Sequence, residues 1–194
     1  MHTTRLARVI VSCVAVLAAL TASAQAGQMP VPQTQPGDAL DPRTYAPESF
    51  PFLEVHATGT QNYTCQANGS WLFSDPVADL YEPAKAPKTS GSHYLNFASG
   101  RPVWEFKDGS SVEAARKVTV PAGSGNIASL LLEAVVTTAG PDGDRLTRTT
   151  WVQRLNSSGG VAPDGACAPG ATTAVVYSTD YVFWTAKASG ESDD

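Results

Sequence analysis

The sequence predicts an all-β protein, a single-domain antiparallel β-sandwich or closed barrel of about ten short strands with one disulfide. Three observations predict it. From Phe52 onward, runs of β-branched and aromatic residues alternate with polar ones and are cut by turn residues at even spacing. Two of the cuts are Asn68-Gly69 and Asp108-Gly109, dipeptides suited to two-residue hairpin turns because both central residues take positive φ. No segment carries a convincing helical period. Ile127–Thr138 comes nearest, but its Val135-Val136-Thr137-Thr138 tail favours strand.

The first residues read as an export signal. Arg5 and Arg8 precede an uncharged Ala/Val/Leu-rich run, Val9 to Ala22, followed by two small-x-small sites, Ala22-Ser23-Ala24 and Ala24-Gln25-Ala26. Residues 1–24 are therefore expected to leave, with a mature start at Gln25 or Gly27 and a secreted or periplasmic destination. The run falls short of the about 20 apolar residues that a span requires, and Cys13 lacks the context of a lipid-anchor site. No other segment is long and apolar enough to span a bilayer as a helix. Cys13 leaves with the signal, so Cys65 and Cys167 remain as an even pair in an oxidising compartment. A disulfide is the default reading; a reactive thiol with a resolving partner is the alternative, without a Cys-x-x-Cys motif to support it.

Residues 25–51 hold Pro30, Pro32, Pro36, Pro42, Pro47 and Pro51 and read as an extended, partly disordered leader. The β domain is expected over 52–187. Its strands are Phe52–Ala57, Gln61–Ala67, Ser70–Ser74, Pro102–Lys107, Ser110–Val120, Ala128–Thr138, Arg145–Leu155, Thr172–Tyr177 and Tyr181–Ala186. Glu82–Ser92 and Asn156–Gly170 read as long loops, and 188–194 as an acidic tail. The formal net charge is −5. Taking Arg5 and Arg8 from 13 Lys and Arg leaves 11 against 18 acids, or −7 for the mature chain. That balance argues against nucleic acid and anionic membrane surfaces as partners.

Several separated stretches resemble an uncharacterised secreted family, domain-of-unknown-function family 3455. They are His56-Ala57-Thr58-Gly59-Thr60-Gln61-Asn62-Tyr63-Thr64-Cys65-Gln66, Pro102-Val103-Trp104-Glu105 with Asp108-Gly109-Ser110, Gln153 to Pro163, and Tyr177-Ser178-Thr179-Asp180-Tyr181. The resemblance runs from about Pro47 to Trp184 and includes both mature cysteines. It implies an exported bacterial or fungal protein and brings no established activity. One departure is the longer Tyr94–Arg101 stretch between His93 and the Pro102–Trp104 motif, which leaves the geometry of His93 relative to Trp104 open.

Motifs with chemical potential are few. Gly123-Ser124-Gly125-Asn126-Ile127-Ala128 spells a dinucleotide-like glycine string, but a dinucleotide site needs a βαβ unit and this string joins two strand-like runs. No cofactor is expected. There is no Gly-x-Ser-x-Gly. Trp71, Trp104, Trp151 and Trp184 read mainly as core, with sugar stacking as the alternative. Asn62, Asn68 and Asn156 open glycosylation sequons that matter only in a eukaryote. A metal or hydrolytic reading joins His56 and His93 to a carboxylate such as Glu105, Asp108 or Asp180, with Glu105 the first choice for a metal; its bland counterpart is a rim histidine. The binding reading places His56, Gln66, Trp104, Glu105 and Asp180 on one face, with Asn156, Gly159 and Gly160 at its rim, because the disulfide ties Gln66 to the end of that glycine-rich loop. The favoured function is a non-enzymatic binding module for a small molecule, glycan or surface protein. The alternatives are the hydrolase or metal enzyme and a structural envelope protein.

Overall fold

The structure, a computed structural model, describes residues 33–186. The signal segment, the first part of the leader and the acidic tail lie outside the described residues. Eight strands form a closed barrel: β1 (Ser49–Cys65), β2 (Trp71–Tyr81), β3 (Gly91–Asn96), β4 (Arg101–Phe106), β5 (Ser111–Val120), β6 (Ser129–Thr138), β7 (Trp151–Gly159) and β8 (Thr172–Ala186). Each strand pairs antiparallel with the next, and β8 returns to pair with β1. Closure leaves no sheet edge. Among the described residues no helix is long and apolar enough to cross a membrane.

The strands are fewer and longer than the turn spacing suggests. Phe52–Ala57 and Gln61–Ala67 are one strand, continuous through Gly59, and Thr172–Tyr177 and Tyr181–Ala186 are another. Gly59 permits the continuity, since a Cβ there would overlap the Val77 carbonyl of β2. The Asn68-Gly69 and Asp108-Gly109 turns join β1 to β2 and β4 to β5, with both glycines at φ 78°. Asn68 and Asp108 do not share the positive φ, and the connections span 66–70 and 107–110 rather than two residues. Arg145–Thr150 is a turn rather than the start of a strand, with Thr147 N donating to Asp144 O and Thr149 N to Leu146 O. Asn156–Gly159 belongs to β7, which bulges between Leu155 and Ser158 opposite β8, so the glycine-rich loop begins only at Gly160. Gly123–Ala128 connects antiparallel β5 and β6, with no helix to complete a dinucleotide fold.

Two-residue periodicity sorts the side chains. On β1, Leu53, Val55 and Ala57 point inward with Leu80 of β2, Phe106 of β4, Val112 of β5, Leu132 of β6, Val152 of β7 and Phe183 of β8 to fill the barrel. Glu54, His56 and Thr58 alternate outward. That pattern is the inverse of a lipid-facing barrel, which is apolar outside and polar within. One end of the barrel is plugged. Leu146 is fully buried there, and its N–H bonds to Ser110 Oγ. Arg145 forks onto Glu82 with both contacts at 2.6 Å and lies over the Phe106 ring.

A second apolar cluster lies on the outer wall: Leu131, Trp151, Leu155, Val182 and Trp184. The last part of the leader covers it. Leu40 packs on this cluster, Arg43 lies over Trp184, and buried Asp41 caps a short 3-10 turn, Pro42–Thr44. Gln153, buried on the outer face of β7, accepts from Trp184 Nε1 at 2.6 Å and donates to Leu40 O at 2.7 Å. The residues from 33 to 48 thus form an ordered strap, held by the apolar and hydrogen-bonding contacts that an isolated proline-rich leader lacks.

Candidate functional site

The unplugged end of the barrel contains a cavity of about 660 Å³. Its wall is built from the C-terminal half of β1 (Gln61, Tyr63), the start of β2 (Phe73, Pro76), β3 (His93, Leu95), the turn after it and β4 (Gly100, Arg101, Pro102, Trp104), β5 (Ala114 to Arg116), Ile127 and Ala128 with Leu130 and Leu132 of β6, Arg154 of β7 and Tyr181 of β8. The lining passes from fully buried Trp104 and Tyr181 to exposed Phe73 and Arg116, so the cavity opens to solvent. Cys65 and Cys167 staple this end, with Cα atoms 5.8 Å apart. Around the bond, Cys167 N donates to Gly69 O and Gly170 N to Cys65 O. The β1–β2 hairpin and the β7–β8 connection therefore hold a fixed spacing at the mouth.

The floor is aromatic. His93 and Trp104 are register partners across β3 and β4 and stack at 4.7 Å, and both meet Tyr181 at 5.1 Å. The extra Tyr94–Arg101 residues run along the two strands and form the hairpin turn, so the pair stays in register. His93 Nδ1 lies 2.8 Å from the Val103 carbonyl. A carbonyl only accepts, so Nδ1 carries the proton and Nε2 is the acceptor. Burial, with Arg154 nearby, lowers the His93 pKa to about 3 against the Val103 hydrogen bond, and the ring is neutral at physiological pH.

The polar groups of this interior are donors in excess. Trp104 Nε1, Gln61 Nε2 and the Tyr177 and Tyr181 hydroxyls are buried without a protein hydrogen-bond partner. The two phenols lie close enough to each other, to Gln61 and to Arg154 to affect one another's ionisation, but none reaches hydrogen-bond geometry. Burial raises both phenol pKa values, so both keep their protons. Arg154 donates Nε–H to Ala128 O at 2.9 Å, and no carboxylate pairs with its guanidinium among the described residues. Arg116 is likewise unpaired, whereas Arg101 contacts Glu113 at 3.3 Å. The wall holds three arginines and no Asp or Glu.

Outside the barrel, His56 and Asp180 are register partners of β1 and β8, with Nδ1 and Oδ1 2.8 Å apart. Asn156 donates Nδ2–H to Asp180 Oδ2 and to Gln33 Oε1, and Gln33 reaches Glu54. Partial burial, then the Asp180 charge, raises the Glu54 pKa. Of the residues expected on one face, the structure thus brings together His56, Asp180 and Asn156. It does not bring the others to them. Trp104 faces the interior. Glu105, its neighbour on β4, faces outward and accepts from Tyr94 OH. Gln66 sits in the β1–β2 turn, its N–H bonded to Ser70 O. Gly159 ends β7 and Gly160 follows it against the cavity wall, where Gly160 O accepts from Tyr63 OH at 2.6 Å. Strand pleating turns Trp104 inward, whereas Glu105 faces outward like His56 but stands on β4, which pairs with β3 and β5 rather than with β1 or β8.

The metal set does not converge either. His93 lies inside the barrel and His56 and Glu105 outside on different strands; no group of three His, Cys, Asp or Glu side chains converges as a metal site among the described residues. The residues that sequence reasoning passed over are Gln61, Arg116, Arg154 and Tyr181. A signal for three of them exists. Gln61 shares parity with Leu53, Val55 and Ala57; Arg154 shares it with Val152, and Tyr181 with Phe183. Polar groups that continue an apolar strand face point into the barrel.

A protein-family model described as "Protein of unknown function (DUF3455)" matches residues 46–185, more than two thirds of the chain. No curated protein and no solved structure matches.

Proposed function

The chain belongs to the DUF3455 family of proteins of unknown function, and from that premise, which carries no activity, we propose that it is an exported, non-enzymatic barrel that holds one small molecule in its open end. The observation that carries this reading is the open cavity of about 660 Å³ whose buried polar groups lack partners within the protein. Its size falls in the range of small-molecule sites, roughly 300–1,000 Å³, and its make-up is of the same kind, apolar walls with a few convergent polar groups. A closed eight-stranded barrel is wide enough at its mouth for one such ligand. Buried donors without partners cost free energy that a bound acceptor recovers. The stapled mouth favours binding further, because little ordering is left to be done. The signal-like start and the disulfide support an oxidising, extracytoplasmic location.

Catalysis by His56, His93 and a carboxylate is disfavoured by their placement on opposite faces of the sheet. His93 titrates near 3, too weak a base for general-base work at neutral pH. The test is titration with the neutral fluorophore N-phenyl-1-naphthylamine. One molecule is expected per chain, with binding lost when Ala128→Trp fills the cavity from its wall. Saturable binding that survives Ala128→Trp overturns the reading, as does failure of the native protein to bind both this probe and its sulfonated counterpart, 1-anilinonaphthalene-8-sulfonate.

A further inference from the structure

Resting on the cavity as the binding site, we propose that its ligand is a small organic anion, an apolar body carrying one acidic group such as a carboxylate, phosphate or sulfonate, with the acidic group held by Arg154. Three features of the wall converge on this chemistry. The first is charge. The chain is acidic overall, yet the cavity wall carries Arg101, Arg116 and Arg154 and no carboxylate. Arg101 is committed to Glu113, and Arg116 lies exposed at the rim. Arg154 is half-buried on the inward face of β7, and its field reaches the inward groups Tyr63, His93, Tyr177 and Tyr181. With Nε–H committed to Ala128 O, the guanidinium keeps the four N–H donors of its two terminal nitrogens, a fork that fits a carboxylate or phosphate edge.

The second feature is polarity. Trp104 Nε1 can only donate, Gln61 presents an unpaired N–H, and the phenol of Tyr181 keeps its proton. A ligand that offers several acceptor oxygens satisfies these donors together; a cation or a ligand rich in donors leaves them unpaired. The third feature is the apolar remainder. Phe73, Pro76, Leu95, Ile127, Leu130 and Leu132 line the same space, more apolar surface than a bare inorganic anion covers. Together they describe an amphipathic anion, acidic at the Arg154 end and hydrocarbon-like elsewhere.

Two probes that share an anilinonaphthalene body test this, the neutral N-phenyl-1-naphthylamine and its sulfonated counterpart 1-anilinonaphthalene-8-sulfonate. Binding to the full mature chain is followed by fluorescence at low and at high sodium chloride. The sulfonate is expected to bind about tenfold or more tightly than the neutral probe, a difference of about 1.4 kcal/mol. Arg154→Gln is expected to abolish that preference by lowering the sulfonate's affinity to that of the neutral probe. Arg154→Lys, which keeps the charge and loses the fork, should retain part of it. If Arg154→Gln does not fold, the native protein still decides. Its affinity for the sulfonate must fall with added salt, and its affinity for the neutral probe must not. Equal affinity for the two probes, or a preference that survives Arg154→Gln, overturns the anion assignment and leaves the cavity reading standing. Failure of both probes to bind the native protein overturns the cavity reading itself.

Discussion

His93 shows how a single residue's surroundings set its chemistry. Enclosed by Trp104 and Tyr181 and bonded to the Val103 carbonyl, its imidazole is neutral, with a pKa lowered to about 3. An unfolded histidine takes up its proton near 6.5. Between those values the unfolded chain binds more protons than the folded one, so this residue's contribution is complete above about pH 6.5 and declines as pH falls toward 3. His93→Gln is expected to flatten the loss of stability between pH 6.5 and 4.5, measured by urea unfolding across pH; a slope equal to that of the native protein would contradict the neutral assignment. Carboxylates act at lower pH. Burial opposes the charge of Asp41 and Glu82, but hydrogen bonds from Arg43 and Thr34 to the first, and from Arg145 and Lys85 to the second, outweigh it and lower both pKa values. Their stabilisation is present above the unfolded carboxylate pKa of about 4 and is lost below it. Glu82→Gln leaves the Arg145 fork without its charged partner at the plugged end, and a loss of about 1–3 kcal/mol is expected from denaturant unfolding at pH 7.

At the scale of strands and turns, local chemistry and distant pairing contribute unequally. Asn68-Gly69 and Asp108-Gly109 declare their hairpins because a turn residue's φ preference acts within four residues. The continuity of β1 through Gly59 and of β8 through Ser178 is not declared, because it depends on what lies across the sheet. Gly59 looks like a breaker until β2 is seen packed against it. The bulge at Leu155/Ser158 is equally silent, and it is what turns Asn156, at φ 53°, outward to Asp180. Phase is the largest omission. Trp104 and Glu105 are adjacent, and only the pairing of β4 with β3 and β5 assigns one to the cavity and the other to solvent. Gly160 marks where β7 must stop. Its φ is 84°, and an added Cβ would lie 2.9 Å from Tyr177 Cβ and 3.0 Å from both Gln61 and Ile127. Gly160→Ala is expected to cost more than about 1 kcal/mol, through strain and displacement of the Gln61 wall, and to weaken probe binding in parallel. Unchanged thermal stability would show that the wall yields there.

Across the whole molecule, the all-β class and the Cys65–Cys167 bond are legible from turn chemistry and cysteine count, whereas closure and the strap are not. Closure depends on β1 meeting β8, so that His56 pairs with a residue 124 positions away; no local pattern encodes a contact of that range. The strap is hidden for a related reason, since a proline-rich segment orders only when a surface awaits it. That surface is the outer apolar cluster around Trp184, and its polar anchor is Gln153, which alternates with the inward Arg154 so that adjacent residues of one motif serve opposite faces. The division makes a prediction about how the two faces depend on each other. A chain beginning at residue 46 keeps every barrel strand but uncovers Trp151 and Trp184, each large apolar side chain representing roughly 1.5–3 kcal/mol of burial. Some of that is retained, because the truncated wall keeps its own lateral packing, so the expected loss is several kcal/mol rather than collapse. The cavity is lined by inward residues and stapled by Cys65 and Cys167, whereas the strap's hydrogen bonds and ring contacts run to the outward Glu54, Trp151, Gln153, Asn156 and Trp184. Truncation should therefore lower the urea midpoint and shift tryptophan emission to the red, while N-phenyl-1-naphthylamine still binds with unchanged affinity below the transition. Reducing the disulfide should do the converse, loosening the mouth and weakening the probe as it removes about 2–4 kcal/mol of stability. If truncation instead abolishes probe binding in a chain that retains its β signal by circular dichroism, the strap is part of the site and the two faces are one functional unit.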